Sequence, residues 1–132
     1  MPVCLMAAVP LLAAAWADWR TREIPDACVF LIAACGVMNI ALNGIPPLWA
    51  VVGLLLLGAP LLLYGLFLPS GIGGGDIKLC AALGLLLGPL AGGVMLVLAL
   101  LLTALYGLCR GTGAVPFALF LLPAYAVILL WR

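Results

Sequence analysis

The 132-residue chain has no histidine and little charge, with five Lys and Arg set against four Asp and Glu. Without His there is no Ser-His or Cys-His relay and no HExxH zinc site. The five cysteines (Cys4, Cys28, Cys35, Cys80 and Cys109) form no CxxC pair. That removes zinc ribbons and dithiol redox motifs, and leaves the thiols as small apolar side chains within helices. No metal and no cofactor is expected. A net charge of +1 without a basic patch gives nucleic acid nothing to bind. A soluble domain needs a polar surface, and a composition 69% hydrophobic and 7% charged does not supply one. The chain therefore belongs in a bilayer.

The expected architecture is an all-α membrane protein, one domain over residues 1–132. Only helices or closed barrels satisfy the backbone in lipid, and the Leu/Ala-rich runs lack strand-like alternation. Six segments are read, over 2–19, 26–42, 48–68, 76–87, 90–109 and 115–131. Asn43-Gly44-Ile45-Pro46-Pro47 and Gly88-Pro89 are the breaks between them. The fourth segment is short: 12 residues span about 18 Å, against about 30 Å of hydrocarbon. The Gly-rich stretch before it is expected to dip into the membrane. Pro60 and Pro123 should kink their helices or mark a cavity. The spacing Gly84-x-x-x-Gly88-x-x-x-Gly92 reads as ordinary close packing.

Orientation follows from the basic residues. Arg20, Arg22, Lys78 and Arg110 fall after the odd-numbered segments, which the positive-inside rule puts in the cytoplasm, with both termini outside. Trp16 and Trp19 then lie near one interface, and Trp49 and Trp131 near the other. Arg20 and Arg22 are expected to touch anionic lipid. The first apolar stretch is not read as a cleaved signal, although Ala15-Trp16-Ala17 resembles a cleavage site. No basic residue precedes it and two follow, the reverse of a secretory leader.

Ionisable groups at membrane depth cost about 2.5–3.5 kcal/mol each on insertion scales, so they are seldom accidental. Asp76 ends the run Gly71-Ile72-Gly73-Gly74-Gly75-Asp76. An acidic N-cap would explain the aspartate but not the glycines. Bare backbone at Gly73, Gly74 and Gly75 lets an extended chain approach. Asp18, at the inner end of the first segment, fits an interfacial charge paired with Arg22, or the second member of a dyad at the depth of Asp76. Two carboxylates sharing one proton hydrolyse a peptide without metal or nucleophile: one takes a proton from water, the other polarises the carbonyl. Glu23 and Asp26 read as structural or interfacial, with Pro25-Asp26 as a helix start. Lys78 either favours the ionised form of Asp76 or snorkels to the headgroups.

At these residues the sequence resembles the type IV prepilin peptidases, the bacterial GxGD aspartyl proteases. Asp18-Trp19-Arg20-Thr21-Arg22-Glu23-Ile24-Pro25-Asp26 is similar to the first-aspartate motif of that family. Gly73-Gly74-Gly75-Asp76-Ile77-Lys78-Leu79 is similar to its GxGD motif, and Val115-Pro116-Phe117-Ala118 to a short Pro-Phe block before the last helix. The resemblance implies a multi-pass enzyme of the inner (cytoplasmic) membrane, with Asp18 and Asp76 as catalytic pair. It implies cleavage of prepilin or pseudopilin precursors at the cytoplasmic face, after a glycine and before the hydrophobic helix of the substrate. The glycines at 73 and 75 would shape the loop beside the scissile bond. The cysteine-bearing segment of larger members, linked to methylation, has no counterpart here, so no methyltransferase activity is expected. The compact form resembles the peptidases of tight-adherence (Flp) pili, and archaeal preflagellin peptidases are related. The competing readings are a small proton- or cation-coupled transporter, which predicts an inverted repeat, and an inactive structural subunit of a pilus or secretion system.

Overall fold

The computed structural model describes residues 2–21, 24–67, 74–110 and 117–131, and every element among them is a helix. They are α1 (Pro2–Thr21), α2 (Asp26–Asn43), α3 (Pro47–Phe67), α4 (Gly74–Arg110) and α5 (Phe117–Trp131). Four of them, α1 to α4, are long and apolar enough to cross a membrane. The fourth and fifth segments expected from sequence both lie in α4, which Gly88 divides.

Local chemistry sets the boundaries. Pro25 is extended (φ −62°, ψ 132°) and its carbonyl accepts from Cys28 N at 3.1 Å, while Asp26 occupies the first turn of α2. Gly44 closes α2 in the left-handed region at φ 63°, which a side chain would resist. Pro47 then opens α3 without needing an N–H partner, and Trp49 N donates to Pro46 O at 3.0 Å. Pro60 and Pro123 lie inside α3 and α5, which run on through them.

α4 is not one straight rod. Gly88 has φ 84° and ψ 176°, and Pro89 follows it. Along a straight helix Gly84 and Gly92 would stand about 12 Å apart. A Cβ built on Gly92 instead falls 3.6 Å from Gly84 Cα. The chain therefore turns back on itself at Gly88, and α4 is a helical hairpin with a one-residue corner. The break anticipated at Gly88-Pro89 is real, and the glycine spacing read as ordinary packing is what lets the two arms meet.

α3 lies against both arms. A Cβ on Gly84 would collide with the carbonyl oxygen of Gly53, and one on Gly53 would come within 2.7 Å of the carbonyl carbon of Gly88. Backbone meets backbone there, as small residues permit in lipid. Trp49 covers the corner, its Nε1 2.9 Å from where a Gly88 Cβ would be. Buried Asn39 of α2 donates from Nδ2 to Leu86 O at 3.1 Å, satisfying a carbonyl that the broken helix cannot. Asn43 donates in turn to Asn39 Oδ1. At the same end Tyr125 of α5 donates to the Cys4 carbonyl at 2.6 Å and ties the last helix to the first. One apolar cluster runs through the bundle, with Leu11 and Ala14 of α1, Ile32 of α2, Leu57 of α3, Leu79 and Leu83 of α4, and Leu121 of α5. Trp16 and Trp19 are exposed at the Asp18 end of α1, and Trp49 and Trp131 are exposed near the opposite end of the bundle.

Candidate active site

Asp18 continues a stripe. In α1 the buried residues Cys4, Ala7, Leu11 and Ala14 recur at three and four residues, the spacing of one helix face. Asp18 is the next position and is itself only 6% exposed. Its side chain is therefore packed within the bundle and not solvated; Arg22, its partner in the interfacial reading, lies outside the described residues. The signal lay in the sequence: 4, 7, 11, 14 and 18 form one stripe that ends on an acid.

Asp76 heads a matching stripe. Leu79, Cys80, Leu83, Leu86 and Leu87 of the first arm of α4 are buried, and Asp76 stands one turn before Leu79 and Cys80. It is half-buried, and its Oδ1 is shielded from solvent with no hydrogen bond to that atom among the described residues. Both aspartates nonetheless interact with their surroundings. Asp76 lies in the first turn of a helix that begins at Gly74, where the helix dipole favours negative charge.

Two contacts put the aspartates at one end of the bundle. Ile24, three residues beyond the end of α1, packs on Gly75, where an added Cβ would come 3.1 Å from Ile24 Cβ. Lys78 Nζ lies 3.5 Å from Asp26 Oδ1 and joins the start of α4 to the start of α2. Asp18 sits three residues before the end of α1 and Asp76 directly after Gly75. Their stripes run into the same apolar cluster.

The remaining expected site residues divide. Gly74 opens α4 and Gly75 carries the Ile24 contact. Gly73, Arg22 and Glu23 lie outside the described residues, as do Val115 and Pro116. Lys78 reaches Asp26 of α2, and both side chains are well exposed, at 62% and 66%. The reason is geometric. Asp76 turns inward on α4, and Lys78, two residues on, turns outward toward α2. Ile24 and Asp26 are the contributors that sequence reasoning passed over, since their partners lie 51 and 52 residues away. Among the described residues no group of three or more His, Cys, Asp or Glu is arranged to hold a metal.

Comparison with known proteins gives one positive finding. No curated protein and no solved structure matches the chain significantly. The family model for the type IV leader peptidase family matches residues 5–108, a stretch containing both aspartates and the whole α4 corner. That match covers most of the sequence, so the chain belongs to the type IV leader peptidase family and is a membrane-embedded protease.

Proposed function

We propose that the protein is an aspartic endopeptidase that removes the leader from prepilin-like precursors, with Asp18 and Asp76 as its catalytic pair. The observation that carries this reading is the convergence of two inward-facing stripes, each ending on an acid, at one end of a single core. Family membership supports a peptidase over a transporter.

One carboxylate is ionised and the other protonated, because like charges at close range cannot both ionise freely. The ionised group takes a proton from water as the oxygen attacks the scissile carbonyl. The protonated group donates a hydrogen bond to that carbonyl oxygen and stabilises the charge that develops. Collapse of the tetrahedral species breaks the C–N bond, and the departing amine takes the proton that came from water. The pair titrates as a unit. Gly74 and Gly75, at the start of α4, set no side chain of their own beside Asp76.

The aspartate end carries Arg20 and Lys78, so it faces the cytoplasm of the inner membrane, both termini lie outside, and the two arms of α4 bring the membrane segments to six. Arg22 supports the site electrostatically. The deciding experiment is co-expression with a candidate prepilin. The wild type shortens the precursor and exposes an N-terminus just after the leader glycine; Asp18→Asn and Asp76→Asn leave it full length. Cleavage retained by either variant removes that residue from the mechanism.

A further inference from the structure

α2 and α3 scarcely touch each other, and each packs chiefly on α4. Between them, over the first arm of α4, runs an apolar slot. Its lower part is a cavity of about 350 Å³ walled by Val29, Phe30 and Ala33 of α2 and Leu54 of α3, with Ala81 and Ala82 as floor. Its upper part, about 290 Å³, lies beside Trp49 and Ala50. Leu85 lines both parts, so they form one track along α4 from Lys78 to Gly88. Ten residues of helix give the track a length of about 15 Å, half the hydrocarbon thickness.

We propose that this slot seats the apolar helix of the leader-bearing substrate and delivers its scissile bond to Asp76. The inference rests on the peptidase reading and names the docking surface for that reaction. Three observations favour a polypeptide helix as occupant. First, the slot is continuous with the candidate active site: its lower mouth is the Asp26–Lys78 pair, and Lys78 is two residues from Asp76 on the same helix. A chain leaving the slot there passes around the first turn of α4 to reach Asp76, which faces the other side of that helix. Second, Ala81 and Ala82 in the floor and Ala33 on one wall are small and admit a helix backbone closely. Third, the size fits one side of a helix. A helix 10 Å across fills about 1,200 Å³ over 15 Å, so cavities of 350 and 290 Å³ take one face and leave the other to lipid. Phe30, 73% exposed, stands at the rim where it would lie along such a helix.

The test places a photo-crosslinking phenylalanine analogue at Phe30 in the Asp76→Asn background, which holds the substrate uncleaved. The same probe at Leu12, on the exposed face of α1, is the reference. A substrate adduct from position 30 and none from position 12 supports the slot. In otherwise wild-type protein Ala33→Phe fills the slot and raises KM about tenfold with kcat retained. The exposed Phe30→Ala raises KM less and serves if Ala33→Phe does not fold. Equal adducts from both positions, or adducts to lipid alone, overturn the slot while wild-type cleavage and its loss in Asp76→Asn keep the peptidase reading intact. Wild-type protein that cleaves no precursor removes both.

Discussion

The two ends of the bundle are built from opposite materials. At the aspartate end lie Asp18, Asp26, Asp76 and Lys78, an exposed ion pair, and the contact of Ile24 with Gly75. At the far end lie Gly53, Gly84 and Gly88 in backbone contact, the indole of Trp49 over the corner, and an amide closing an open carbonyl. The first end places ionisable groups against an apolar core, an arrangement that costs stability. Among the described residues the far end has close packing and satisfied polar groups but no acid or base. On the proposed mechanism, activity and stability reside at opposite ends of the same helix, α4, so substitutions should separate them.

The largest effect expected is on activity alone. Asp76→Asn and Asp18→Asn abolish precursor cleavage, while melting temperature in detergent is unchanged or raised, because each removes a buried or half-buried charge. A melting temperature lowered by either would make that aspartate a structural residue and break the comparison. The next effect is on stability alone. Gly84→Leu forces a side chain onto the Gly53 carbonyl, and overpacking of this kind costs typically 1–3 kcal/mol or more. Folded yield should fall sharply, and whatever folds should keep its activity per molecule. Full stability in Gly84→Leu would mean that α3 and the first arm of α4 are not in backbone contact.

Gly88→Ala is milder. It meets the left-handed φ of 84° and the Trp49 indole, for a loss of about 1–2 kcal/mol. Asn39→Leu leaves the Leu86 carbonyl unsatisfied at about 1–3 kcal/mol, read in the same melts. Smallest is Lys78→Ala. Its partner is exposed, and such pairs contribute about 0–1 kcal/mol. A large loss of stability there would show that the aspartate end is held by charge after all.

Much of this was legible in the sequence, for reasons that can be named. Glycine and proline act locally, so the breaks at 44–47 and 88–89 could be read from two or three residues. The stripe from Cys4 to Asp18 is a single-helix pattern and equally readable. What could not be read depends on pairs far apart in the chain. Gly88-Pro89 announces the turn between two segments, but only the contacts of Gly84 with Gly92 and Gly53 show how closely the arms and α3 come together there. Likewise Lys78 had one nearby acid in the sequence, Asp76, whereas the fold brings it Asp26 from another helix.

The corner at Gly88 bears on how the protein reaches its membrane. A polytopic chain ordinarily has to push a hydrated loop through the apolar layer for every pair of helices it threads. Between the arms of α4 there is a single glycine and then proline. Nothing charged needs to cross with them, so the pair can enter as one preformed wedge from the side on which it is made.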